Sequence, residues 1–402
     1  MKKHHAVSAS MCLALALSAH AEPFLMKQLS KYPEYSLGDD SKISLYGSMD
    51  MGLNVTKAGD APSMVKAQSG GSYTSKLGMY GREDLGGGLR AEFNLESGFQ
   101  ADTGASSSSS QLFDRASWVG LRSREWGAVR LGNQLGVSLP LFADPYGVVQ
   151  TNSMSYWLAS AIVQKSAYTP GLTTASPIGL NSDLGNGATQ LTTRVPRSIS
   201  YTSPRMQGVE VKMLYAPGAA TTSYNRVYTR GGVANMVHGP WYTAVSYSQV
   251  YGVDTSTLSA VRTDVAGAAA IYDTGSIVLS AAVNRSALRT TTGGSATVYS
   301  LGAIYPVDRH ELRFSVVYRD TSGVRNTSTH LEVASSALGL MAGYDYAFSK
   351  SVGLYGRLGV LRNSGASTVV LNNASLPLES GTSNAQLGVT SRTASVGMYY
   401  HF

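Results

Sequence analysis

The chain has 402 residues, a formal charge of +7, only 14% charged residues and 24 tyrosines against 8 phenylalanines. Its 43 glycines exceed the ~7% usual in soluble proteins, which argues against the two or three soluble domains its length would allow. No run of 18 apolar residues follows the N-terminal segment, so helical membrane spans are excluded.

The chain opens on an export signal. Lys2 and Lys3 precede a mostly apolar stretch from Ala6 to Ala19, and Ala19-His20-Ala21 supplies a small-x-small cleavage site. The stretch falls short of the ~20 apolar residues that a spanning helix needs. Cleavage after residue 21 leaves Glu22 first, 381 residues (402 minus 21) and a charge of +5 once Lys2 and Lys3 are gone. The single cysteine, Cys12, leaves with the signal, so no disulfide or cysteine metal site is expected. Residues 22–41 show no alternation. They form an N-terminal extension, either a disordered periplasmic tail or a segment folded into the lumen.

From residue 42 the chain alternates with period two. Ile43, Leu45, Met49, Met51, Leu53 and Val55 face one way; Ser44, Tyr46, Ser48, Asp50 and Asn54 face the other. Leu89, Ala91, Phe93 and Leu95 alternate with Arg90, Glu92, Asn94 and Glu96, and the last strand sets Ala394, Val396, Met398, Tyr400 and Phe402 against Ser395, Tyr399 and His401. Strands of this length, half lipid-facing and half water-facing, suit a transmembrane barrel. Short connections are expected at Glu83–Gly87, Ser123–Gly127, Pro204–Gly208, His238–Pro240, Asp273–Gly275, Pro306–His310 and Ser349–Ser351. Long ones are expected near 56–73, 100–111, 135–192, 216–226, 252–262, 287–296, 321–334 and 363–387. Seven short turns and eight long loops predict an all-β, antiparallel barrel of sixteen strands over 42–402, with both ends on the short-turn, periplasmic side. Residues 105–110, Ala followed by five Ser, read as an external loop tip.

Several stretches resemble the general porins of Gram-negative bacteria, in their β-proteobacterial, anion-selective-type branch. They are Ser41–Met51, Ser75–Phe99 with its Glu83-Asp84-Leu85-Gly86-Gly87-Gly88 turn, Leu112–Gly132, Ser198–Pro204 and Val396–Phe402. The resemblance implies a sixteen-stranded homotrimeric porin whose long third loop folds into each lumen, and passive diffusion of small hydrophilic solutes, anions preferred. It also implies that Phe402, with Tyr400 and Met398, is the signal for the barrel-assembly machinery. Outer-membrane lipid, lipopolysaccharide and small anionic or neutral solutes complete the expected partners. Two departures stand out: the twenty-residue extension, and Pro140-Leu141-Phe142-Ala143-Asp144 where the family carries an acidic Pro-Glu-Phe-Gly motif.

Parity turns Lys76 and Arg194 into the lumen, whereas alternation cannot orient Arg115. In anion-selective relatives a basic constriction cluster comes from the positions matching these three. Rings of fixed cations at a narrow point attract anions. Arg82, Arg90 and Arg130 are either further lumen charges or solvated interfacial ones, Arg197 has lipid-facing parity, and Asn133 stands where many relatives have arginine. In the third loop Asp144 is the remaining acid of the motif. Tyr156 and Trp157 either pack the loop or offer a stacking platform. Against three basic wall residues, Asp144 leaves an expected local charge of about +2.

An enzyme is disfavoured. Of seven histidines, three leave with the signal, His238 and His310 lie in short turns and His401 is penultimate, so His330 alone stands in an external loop as a general base. No histidine cluster has metal-ligand spacing, and no cofactor is expected. The basic residues are scattered among strands, which a basic lumen explains better than nucleic-acid binding. A channel specific for one organic acid or sugar is the alternative function, and a soluble β-sandwich the alternative fold.

Overall fold

The computed structural model describes residues 35–36, 42–138, 143–147, 151–174, 179–189, 193–218, 227–254 and 256–402. The export signal read over 1–21 and most of the extension at 22–41 lie outside the described residues. Within the extension Tyr35–Ser36 pairs with Lys42 and Ile43.

Alternation dictates the architecture. A strand with one apolar and one polar face can bury neither in a bilayer unless the sheet closes on itself, leaving apolar side chains to lipid and polar ones inside. Among the described residues the strands are β1 (Lys42–Ala58), β2 (Met64–Ser69 and Lys76–Gly86), β3 (Leu89–Gly98), β4 (Ala116–Ser123), β5 (Gly127–Leu135) and β6 (Arg194–Thr202). Then come β7 (Val209–Pro217), β8 (Val227–His238), β9 (Trp241–Asp254), β10 (Ser259–Asp273), β11 (Val278–Leu288) and β12 (Ser295–Val307). The last are β13 (His310–Ser322), β14 (Ser335–Ala347), β15 (Val352–Gly365) and β16 (Thr390–His401). Each pairs antiparallel with the next, and β16 closes on β1 from Ser48↔His401 to Ala58↔Ser391. Leu45, Leu53, Leu77, Leu121, Leu131, Leu301, Leu358 and Val396 are exposed on the outer face, while Ser44, Tyr46, Asn54, Ser198, Ser200 and Ser315 are buried on the inner.

Two connections differ from expectation. The ladder runs through part of 56–73, because Met64–Ser69 pairs again with Met51–Thr56. It also continues to Asp254 and restarts at Ser259, inside the expected loop 252–262. Ser, Thr and Lys are compatible with a strand whose inner face is wet, so polar composition alone does not end one. The second strand is interrupted at 70–75, where Asp50 draws the backbone in. Its carboxylate accepts from the N–H groups of Gly71 (3.1 Å), Ser72 (2.8 Å) and Tyr73 (2.7 Å) and from the Tyr355 hydroxyl (2.8 Å).

The connection between β5 and β6 carries a short helix, α1 (Met154–Ala159), capped by the Ser153 hydroxyl accepting from Tyr156 N–H. Met154, Trp157, Leu158 and Val163 pack with Val317, Met341 and Leu361 of the wall and with Val369, Val370 and Leu371 of the β15–β16 connection. Further along, Asp183 holds the fully buried Arg319 of β13 by two hydrogen bonds, 2.7 and 3.0 Å. Those wall residues stand on the face opposite the exposed Leu312, Phe314 and Tyr318.

Candidate pore-lining site

One row across four strands builds the site. Tyr46 of β1 is in register with Gly78 of β2, Gly78 with Glu96 of β3, and Glu96 with Ala116 of β4. A Cβ on Gly78 would lie 2.3 Å from the Tyr46 ring. The empty position lets that ring cross β2 and donate its hydroxyl to Glu96 Oε2 at 2.9 Å.

Around this carboxylate stand the three basic residues taken from the sequence. Arg115 Nε lies 2.7 Å from Glu96 Oε1, Lys76 Nζ 3.5 Å from Oε2 and Arg194 Nη2 3.5 Å from Oε1. Arg115 immediately precedes β4 and is oriented by its own N–H, which donates to Glu96 O, so strand parity carried no information about it. The Lys76, Arg115 and Arg194 side chains keep 25%, 15% and 24% of their surface, whereas Glu96 keeps 7%. Three cations on one carboxylate leave +2. Lys212 adds to this wall: its Nζ donates to Leu135 O at 2.7 Å, and Leu135 is in register with Arg194.

Glu96 and Lys212 were missed in the sequence. The signal was present, since Glu96 shares the inward parity of Asn94, and Lys212 that of Leu214 between outward Met213 and Tyr215. What parity lacks is the register that brings groups from different strands together. Asn133, in the place of an arginine, donates to Asp114 O at 2.9 Å. Arg197 sits at the β6 bulge with φ +52°, away from the cluster. Arg90 and Arg130 join a second carboxylate, Glu92, which Arg82 faces in register.

The third-loop residues stand elsewhere. Asp144 is not opposed to the basic cluster: it accepts from Tyr146 N–H (2.8 Å), Ser155 N–H (3.3 Å) and the Ser315 hydroxyl (3.2 Å), tying the loop to β13. Burial pushes its carboxyl above the usual range, against the hydrogen bonds that lower it. The +2 at the cluster is therefore set by Glu96, not by Asp144. Trp157 is buried, its indole N–H given to Thr151 O, and it packs the loop; Tyr156 is half-buried, edge-on to it at 5.1 Å. Residues 139–142, which include most of the altered motif, lie outside the described residues. On β13 to β15 Arg313 and Arg357 both pair with Asp345, and Arg313 also with Glu311, two cations against two anions. The Glu96 cluster is thus basic and the Asp345 group balanced. Among the described residues no group of three or more His, Cys, Asp or Glu could hold a metal.

At the seam, Phe402 exchanges backbone hydrogen bonds with Gly47, and Tyr400 stacks on it at 6.1 Å, both rings facing outward with Met398. The family model described as Gram-negative porin matches residues 6–366.

The chain belongs to the Gram-negative porin family.

This porin is, by its family, an outer-membrane β-barrel protein. It is 27% identical over 243 residues to an outer membrane porin protein of Bordetella pertussis, covering 52% of this chain and 54% of that one. It is 42% identical over 98 residues to outer membrane porin protein 32 of Delftia acidovorans, covering 24% and 26%. These matches span about half and a quarter of those relatives. Among solved structures, the anion-selective porin from Comamonas acidovorans superposes with a TM-score of 0.70 at 24% identity, over 90% of this porin and all of that chain. The trimer form of OmpT, an outer membrane protein of Vibrio cholerae, does so at 0.56 and 13%, over 90% and all of that chain. Both likenesses are of the fold alone.

Proposed function

We propose that this porin forms a water-filled channel for passive diffusion of small hydrophilic solutes, with a preference for anions. The observation that carries the reading is the convergence of Lys76, Arg115 and Arg194 on Glu96, a net +2 on the inner wall. The likeness to a porin named anion-selective agrees with it. At bulk-water dielectric a unit charge at about 4 Å contributes about 1 kcal/mol, and about 4 kcal/mol at an effective dielectric near 20. A wet lumen stands nearer the first value, so the preference is graded, and screening by salt weakens it.

The third loop completes the reading. Its contacts with the inner-face residues Ser315 and Met341 support a loop folded into the lumen that narrows the pore against the basic wall. A homotrimer, with the short turns and both termini periplasmic, is the assembly that goes with this family. Residues 1–21 serve as a cleaved export signal, Phe402 addresses the chain to the barrel-assembly machinery, and lipid and lipopolysaccharide surround the barrel. Reversal potentials in a potassium chloride gradient across planar bilayers test the function: chloride is favoured at low salt, less so at high salt, and a potassium preference would overturn the reading.

A further inference from the structure

Four residues from Glu96, toward the short-turn end of β3, a second glutamate has the same surroundings. Glu92 is 3% exposed and lies 2.9 Å from Arg122 Nε, 3.1 Å from Arg90 Nε and 3.1 Å from Arg130 Nη2. The construction repeats. Glu92 is in register with Gly120, and Gly120 with Arg130. A Cβ on Gly120 would fall 2.8 Å from the Arg130 side chain, so the empty position lets Arg130 cross β4 to the carboxylate, as Gly78 lets Tyr46 reach Glu96. Trp118 supports it, with the guanidinium 4.0 Å from the ring centroid.

The donors of this cluster exceed its acceptors. Three guanidiniums present about fifteen N–H groups to the roughly four acceptor sites of one carboxylate. Arg90, Arg122 and Arg130 keep 42%, 30% and 27% of their side-chain surface, so part of that excess faces solvent. A cavity of about 340 Å³ adjoins Arg90 and Arg122 at the short-turn mouth, lined also by Arg124, Arg205, Asp84 and Glu210. Arg90 and Arg122 are already counted at Glu92, and the other lining charges balance, Arg124 and Arg205 against Asp84 and Glu210, with Arg205 paired to Glu210. The cavity's positive character is thus that of the Glu92 arginines, whose planar guanidiniums bind compact oxyanions with paired hydrogen bonds.

We infer that the Glu92 cluster and its cavity form a second binding station for compact oxyanions, phosphate or small polycarboxylates, in series with the Glu96 cluster. The inference rests on the lumen being an anion path. Four strand residues separate the stations by about 13 Å. This exceeds the Debye length of about 8 Å at physiological salt, so both can be occupied at once. A bound oxyanion at the inner station obstructs chloride entering from the periplasmic side more than from outside.

The test is block of chloride current by inorganic phosphate, added in turn to each side of a bilayer. Wild type should be blocked at lower phosphate from the short-turn side. In R122Q/R130Q the half-blocking concentration from that side should rise several-fold, with the reversal potential still on the anion side because the Glu96 cluster is intact. In E92Q, which enlarges the excess of donors, it should fall. Absence of sided block in wild type overturns the inference, as does block at the wild-type concentration in both variants. If R122Q/R130Q does not assemble, E92Q decides alone. A wild-type channel without anion preference is a different failure, that of the channel reading itself.

Discussion

Replacing Glu96 by glutamine removes the one carboxylate that three cations share, raising the local charge from +2 to +3. One unit charge at about 4 Å in water shifts chloride and potassium by about 1 kcal/mol in opposite directions, so the chloride-to-potassium permeability ratio should rise by up to about thirtyfold. Asp144→Asn, by contrast, should change that ratio little, because its oxygens are bound to Tyr146, Ser155 and Ser315. Reversal potentials of the two variants separate these roles; equal effects would contradict them. Gly78→Ala should act on Glu96 indirectly by expelling the Tyr46 ring. The three cations were legible because two have inward parity and resemblance supplied Arg115. Their shared glutamate was not, since its importance follows from the Tyr46–Gly78–Glu96 register, which a single sequence does not display.

Strands were the most legible elements, as lipid outside and water inside impose period two on each of them. Loops obey no such rule. The interruption at 70–75 depends on Asp50 collecting three backbone N–H groups, and the third loop is fixed by a partner far away in sequence, Arg319. Asp183→Ala leaves Arg319 buried without its carboxylate, a change that costs about 3–5 kcal/mol where such pairs are broken. The expected result is a looser third loop, read as noisier and larger single-channel conductance in an otherwise assembled barrel; wild-type conductance would show that the pair does not hold the loop. Phe402 is fixed to Gly47 at the closing seam and presents its ring outward. Deleting it should sharply lower the amount of inserted protein in outer-membrane fractions, and undiminished levels would refute its role in assembly.

The barrel as a whole carries a basic cluster built from β2 to β7 and a group of balanced charge on β13 to β15. A narrow lumen with fixed cations on one side draws anions along that side while leaving cations room to pass. The basic cluster also accounts for part of the chain's positive charge without any nucleic-acid motif. Native mass spectrometry should find three copies, and a monomer under conditions that preserve other porin trimers would contradict the assembly. The account stands most directly on the sign of the charge at Glu96. In K76E/R194E each substitution subtracts two charges, taking the cluster from +2 to −2. Reversal potentials in a tenfold potassium chloride gradient at low salt should therefore change sign between wild type and this variant. A double variant that still favours chloride would contradict the account.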